Sequence, residues 1–304
     1  MTFTFQLPCR LALALPLSLL ALLPECAFPT RSEAPPPTTA TRPSPPDRSE
    51  ETAQLADRGT TPVFADDFEN GIAAEWRRET CCDHSVRVMD APQRSGRVAR
   101  FEVRRSDPNV AGNKRSEIAL RPEPRGEERW YRFSTFLPDD WQHDPVGEII
   151  AQWHGAPDLD LGEGFTQGGP PLSLHVSGNQ MYILSQWDPN PVTYRREPAP
   201  GKGSERVWQG RFRRGEWIDW VFRVRWSYEG DGRLQVWRNG EQIVDRQGPN
   251  TYNDQRGVYF KIGIYKYSWK SAPDRSITQQ RVVFADDIHI SRRSLAPNDD
   301  EDDD

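Results

Sequence analysis

The chain has 304 residues, 36% hydrophobic and 28% charged, and a mean hydropathy of −0.79 that excludes a membrane-embedded domain. The formal net charge is −6, but Asp299–Asp304 alone carries six negative charges, so the remainder is near neutral and no nucleic-acid partner is expected. Only five of the 39 basic residues are Lys. Arg binds carboxylates and sulfates through a planar fork, so an acidic polymer is one reading of this bias. A genome rich in Arg codons is the other.

Residues 1–27 read as a signal peptide. Arg10 precedes the apolar run LALALPLSLLALL, too short for an ordinary membrane span. A secreted or periplasmic protein follows, with an uncleaved anchor as the alternative. Cys26 invites a lipid anchor, yet Pro24 and Glu25 before it fit that motif poorly. Residues 28–61 are rich in Pro, Thr, Ser and charge and read as a disordered linker. Residues 295–304 form an acidic tail with no assigned role. Removing the signal leaves two cysteines, the adjacent Cys81 and Cys82, which can form a vicinal disulfide, stay free or pair between chains.

Residues 62–294, about 235 in number, suit one large domain. They hold short alternating runs between Gly, Pro, Asn and Asp clusters: RVARFEV, WYRFSTFL, LSLHV, MYILSQW, WIDWVFRVRW, RLQVW, QIVD and RVVFADDIHI. No helix of 12 residues is expected. Asn239-Gly240 marks a two-residue hairpin. The class is all-β, a sandwich or jelly roll.

Three strands carry polar groups on one face. In IIAQWHG, alternation puts Ile149, Ala151 and Trp153 on one side and Ile150, Gln152 and His154 on the other. In VYFKIGIYKY, Phe260, Ile262 and Ile264 oppose Lys261, Gly263 and Tyr265. In NKRSEIAL, Asn113, Arg115 and Glu117 share a face. Cleaving a uronic-acid polymer by β-elimination requires a base for the C5 proton, a neutraliser for the carboxylate and an acid for the leaving oxygen. An imidazole is a suitable base near neutral pH. An amide and a guanidinium can stabilise the growing charge, and a phenol can serve as acid. His154, Gln152, Arg115 and Tyr265 supply these functions, with Lys261 nearby. Taken singly, each motif also reads as polar filler, packing or an exposed salt bridge; their value depends on the strands being neighbours.

GNKRSEI, IIAQWHG and YFKIGIYK, in this order, resemble motifs of the jelly-roll polysaccharide lyases that include glucuronan lyase and heparin lyase I. FADDFENG and FADDIHIS look like the same group. The resemblance implies a two-sheet antiparallel β-jelly-roll sandwich with a substrate cleft, an acidic polysaccharide as partner, and no cofactor for the chemical step. It matches His154 to the general base, Tyr265 to the general acid, Gln152 to carboxylate neutralisation, and Arg115 and Lys261 to cationic cleft residues. Asn113 and His175, on polar strand faces, are added as substrate contacts. A structural Ca²⁺ remote from the cleft is also implied. Its hard oxygen ligands are sought at Asp286 and Asp287 or at Asn253 and Asp254, though an Asp pair at a strand end also serves turns. A monomer is expected.

Two other functions compete. A non-catalytic carbohydrate-binding jelly roll would use the 11 Trp as sugar platforms, but needs no proton-transferring set. A retaining glycoside hydrolase needs two carboxylates about 5–5.5 Å apart, and neither Glu216-Trp217-Ile218-Asp219 nor Glu229-Gly230-Asp231 provides the expected set.

Overall fold

Alternating apolar side chains can be buried on one face only if strands stack as two sheets, and the chain folds this way. The computed structural model describes residues 62–164, 169–194 and 197–297. The expected signal peptide with Cys26, the linker and the end of the acidic tail lie outside the described residues.

Fifteen strands follow in chain order: β1 (Phe64–Asp66), β2 (Arg77–Glu79), β3 (Val86–Asp90), β4 (Arg97–Arg104), β5 (Arg115–Ala119), β6 (Glu128–Phe136), β7 (Glu148–His154), β8 (Leu172–Ser177), β9 (Gln180–Trp187), β10 (Gly203–Arg211), β11 (Trp217–Arg225), β12 (Arg233–Arg238), β13 (Glu241–Gln247), β14 (Tyr259–Tyr265) and β15 (Gln280–Ser291). One antiparallel sheet has the order β13-β12-β11-β6-β15-β4-β3, with β1 added on β15; the other runs β10-β9-β8-β7-β14-β5-β2. Neighbours far apart in sequence, such as β7-β14-β5, make this the expected two-sheet jelly-roll sandwich. Asn239 and Gly240 both take positive φ, 50° and 82°, as the β12–β13 hairpin requires. The α-helix among the described residues, α1 (Ser268–Ser271), is one turn long. No helix of the described residues is long and apolar enough to cross a membrane.

The core lies between the sheets. Trp153 of β7 packs on Phe222 of β11 at 4.7 Å, on Phe260 of β14 at 5.2 Å and on Phe133 of β6 at 6.3 Å between ring centroids. Phe260, Ile262 and Ile264 all enter this core, so the expected faces of β14 are observed. The faces of β7 are only partly so. A bulge shifts the register between Ile149↔His175 and Ala151↔Leu174, and Ile150 joins Ala151 and Trp153 in the core. Ile149 instead stands opposite His175 and Tyr265. A bulge places two residues against one, and strict alternation cannot foresee it.

Behind β14 lies a buried ionic cluster. Lys266 contacts Glu148, Asp144 at 3.0 Å and the Val146 carbonyl at 3.1 Å, and Arg281 also binds Glu148. Asp144 accepts hydrogen bonds from Ser276 and Thr278. Burial opposes its ionisation, but these hydroxyls and Lys266 prevail and lower its pKa to about 2.

Candidate active site

The outer face of the second sheet carries the polar residues, and cross-strand pairing brings them together. Residues directly opposite on neighbouring strands project to the same side. Lys261 stands opposite Gln152, Gln152 opposite Ser173, Ser173 opposite Leu184, and Leu184 opposite Arg206. A second row links Arg115, Tyr265, Ile149, His175 and Tyr182. The three motif strands β5, β14 and β7 are therefore adjacent, as the joint reading of their polar faces required.

Tyr265 reaches its place through a break in β14. Gly263, at φ 133°, has an added Cβ position only 2.2 Å from the Ser116 carbonyl. Only glycine fits this conformation and this approach, and the register of β14 on β7 shifts between Ile262 and Tyr265. The Tyr265 hydroxyl accepts a hydrogen bond from Asn113 Nδ2 at 3.1 Å, which leaves its own proton free to donate. The Arg115 guanidinium lies over the Tyr265 ring, 4.3 Å from the centroid.

Two carboxylates organise the cations. Glu79 binds Arg115 at 2.9 Å and Lys261 at 2.7 Å; Glu117 binds Arg115 at 3.3 Å and Lys261 at 2.9 Å, and accepts from the Gln152 amide. Burial works against Glu79 ionisation, yet Lys261, Arg115 and Arg77 outweigh it and hold its carboxyl below the usual range. Arg115 loses solvation too, but Glu117 and Glu79 keep it firmly charged. Lys261 and Gln152 are each only 1% exposed, so Lys261, expected to touch substrate, instead braces Glu79 and Glu117. Gln152 Oε1 and Arg115 Nε have no partner among the described residues.

His154 ends the third motif strand and stands opposite Tyr259, 5.3 Å between ring centroids. Its Nδ1 lies 2.8 Å from the Gly155 carbonyl. A carbonyl can only accept, so Nδ1 is the protonated nitrogen and Nε2 keeps its lone pair. Burial lowers the His154 pKa, and Lys261 adds to this against the pull of the Gly155 carbonyl. Tyr259, pushed up to about 12 mainly by burial, remains a neutral phenol. His154 and Tyr265 thus sit at different levels of the sheet, with the Gln152–Lys261 level between them.

His175, expected as a substrate contact, is 5% exposed. It stacks on Tyr182 at 4.4 Å and 10°, bonds to the Ser173 hydroxyl at 2.8 Å, and has its pKa driven to about 3 by burial and Arg206. It is a neutral packing group beneath the face. Cys81 and Cys82 form a disulfide just after β2, in a turn where Ser85 N–H donates to the Cys82 carbonyl.

The acids expected to hold metal divide. Asp286 and Asp287 lie at a bulge in β15, and Arg94 pairs with both. An arginine therefore occupies the charge position expected for an ion there. Asp254 instead meets Asp158 and Glu163, all buried, with carboxylate oxygens within 4.8 Å of one another. Burial, Glu163 and Asp158 push Asp254 up to about 8. Three crowded carboxylates are the hard-oxygen set that suits Ca²⁺. Asn253 is engaged elsewhere, accepting from Arg125 and donating to the Pro189 carbonyl. The set is not remote from the site, because Asp254 Oδ2 lies against Gly155, 2.5 Å from an ideal Cβ position there.

Sequence reasoning gave Glu117 a face but no role and missed Glu79, Tyr259, Asp158 and Glu163. A lysine in the middle of an apolar, central strand is buried by its neighbours and requires a carboxylate nearby, and that was the available signal for Glu79.

Among curated protein sequences, none matches the chain. By structure it is similar to an endo-β-1,4-glucuronan lyase from the fungus Trichoderma reesei, at 22% identity and TM-score 0.60, over 76% of this chain and 95% of that one. It is also similar to alginate lyase vAL-1 from Chlorella virus, at 12% identity and TM-score 0.50, over 77% of this chain and 100% of that one. The model of the polysaccharide lyase family matches residues 68–289, from the turn after β1 into the last strand. Spanning nearly all of both sheets, that match establishes that the chain belongs to the polysaccharide lyase family.

Proposed function

We propose that the protein cleaves a uronic-acid polysaccharide by β-elimination, with a glucuronan-type polyuronate as the favoured substrate. The observation that carries this reading is a complementary pair of hydrogen bonds. His154 has Nδ1 committed to the Gly155 carbonyl and a free lone pair on Nε2. Tyr265 accepts from Asn113 and retains a proton to give. In the proposed step Nε2 takes the C5 proton, the C4–O bond breaks as the C4–C5 double bond forms, and Tyr265 protonates the leaving glycosidic oxygen. Arg115 offsets the negative charge that grows on the substrate carboxylate, and the buried Gln152, whose amide donates to Glu117, helps to hold the carboxylate that positions Arg115.

The glucuronan preference is supported by the higher TM-score of the glucuronan lyase of the two solved structures. Glu79 and Glu117 form a carboxylate pair, but both are engaged with Lys261 and Arg115. Glu79 is also held below its usual range, the opposite of the protonated acid that a hydrolase needs. The proposal carries with it a secreted or periplasmic, monomeric enzyme and a structural Ca²⁺ at Asp158, Glu163 and Asp254. Incubation with a panel of polyuronates should release unsaturated, ultraviolet-absorbing ends, first from glucuronan. Binding without such products from any polyuronate would favour a carbohydrate-binding module.

A further inference from the structure

Beyond Tyr265 a run of neighbouring rings, with the buried His175 in its middle, leads across the second sheet to the edge strand β10. Tyr265 and Tyr267 are 5.8 Å apart, Tyr267 meets His175 edge-on at 6.2 Å, and His175 stacks on Tyr182. Tyr267, kept protonated chiefly by burial, hydrogen-bonds to Tyr182. This middle stretch therefore carries no charge. It ends at Arg206 of β10, whose guanidinium lies 4.2 Å from the Tyr182 ring centroid and donates to Gln209 Oε1 at 2.5 Å. A bulge between Arg206 and Trp208 presents Val207 and Trp208 to the core, which leaves Arg206 exposed on the site face. Arg246 nearby pairs with Glu205 and Arg233 with Asp245, whereas Arg211, at the far end of β10, lies over no ring of the site face among the described residues. Arg206 has no acidic partner among the described residues.

We infer that Arg206, stacked on Tyr182, is a distal subsite for the carboxylate of a uronate several sugar units from the cleaved bond. The inference rests on the polyuronate lyase reading above. Strands lie about 4.8 Å apart, so the five steps from β5 to β10 span roughly 24 Å, more than one sugar ring. A neutral aromatic stretch between cationic stations suits a chain that bears carboxylates at intervals. Stacking preorganises the Arg206 fork, so less freedom is lost when it meets a carboxylate.

The test compares the wild type with Arg206→Ala on glucuronan and on its size-fractionated oligosaccharides. The preference for polymer over trisaccharide, read as a ratio of kcat/KM, should fall about three- to tenfold, the scale of an exposed charged contact with stacking support. Arg206→Lys, which keeps charge but loses the planar fork, should fall between. Unfolding midpoints check that the exposed substitution leaves the fold intact. An unchanged chain-length preference overturns the subsite. Electrophoresis through glucuronan-containing gels, in a Tyr265→Phe background, reads binding without turnover. If the wild type cleaves no polyuronate, the lyase reading fails by itself. Retardation weakened by Arg206→Ala then still supports the subsite, and equal retardation of both proteins removes it.

Discussion

His154 and Tyr265 differ in which partner holds them, and the base and acid roles proposed for them follow that difference. A carbonyl fixes the proton on His154 Nδ1, and an amide N–H occupies the Tyr265 oxygen. A positioned acid or base typically contributes ~10²–10⁴-fold. His154→Ala and Tyr265→Phe should each lose activity on that scale with unfolding midpoints preserved. The double variant should lose less than the product of the two, because groups acting on one step behave as a unit. Near-normal kcat in Tyr265→Phe would place the acid elsewhere. The pH profile gives an independent check. The base works unprotonated, so kcat/KM falls as pH drops through the His154 pKa. Burial and Lys261 hold that pKa below its reference value of 6.5, so the acid limb should lie below pH 6.5. An acid limb centred above 6.5 would contradict the burial described.

At the level of elements, β14 joins the site to the interior. Tyr265 points outward, Lys266 is fully buried, and Tyr267 returns to the outer face beside His175. Lys266 is held by Glu148 and Asp144 and so fixes where the strand leaves the sheet. Removing one partner of a buried ionic cluster typically costs about 3–5 kcal/mol, because a charge is left uncompensated. Lys266→Met should lower stability by about that amount in denaturant unfolding, and an unchanged midpoint would show that the cluster is not a clamp. The faces of β14 were legible in the sequence because Phe260, Ile262 and Ile264 are uniformly apolar. Those of β7 were misread at Ile149 and Ile150, since both residues are apolar and a bulge leaves no mark in such a run. Strand β10 escaped notice because its residues are half-buried or exposed throughout, which removes the alternation that marks a strand. Strand β2, three residues without alternation, hid Glu79 for the same reason.

For the whole molecule, the sandwich was readable from run length and turn residues alone, whereas the acidic cluster was not. Asp158 and Glu163 flank a short 3₁₀ turn and Asp254 comes from a distant loop, so nothing in their spacing joins them. Ligand binding to the native state alone raises its stability. If Ca²⁺ occupies this cluster, removing it with a chelator should lower Tm, and restoring Ca²⁺ should recover it; a Tm insensitive to both would end the Ca²⁺ proposal. The Cys81–Cys82 bond should behave differently. A cross-link between neighbours closes the smallest loop a chain can make, so by loop entropy it is worth only on the order of 1 kcal/mol. A reducing buffer should therefore barely move the melting curve, in contrast to a disulfide that ties distant segments. What reduction would release is local: the turn that follows Glu79, the residue that holds both Arg115 and Lys261. Preparations made under reducing and oxidising conditions should melt alike, and any difference between them should appear as faster amide hydrogen exchange confined to residues 80–85.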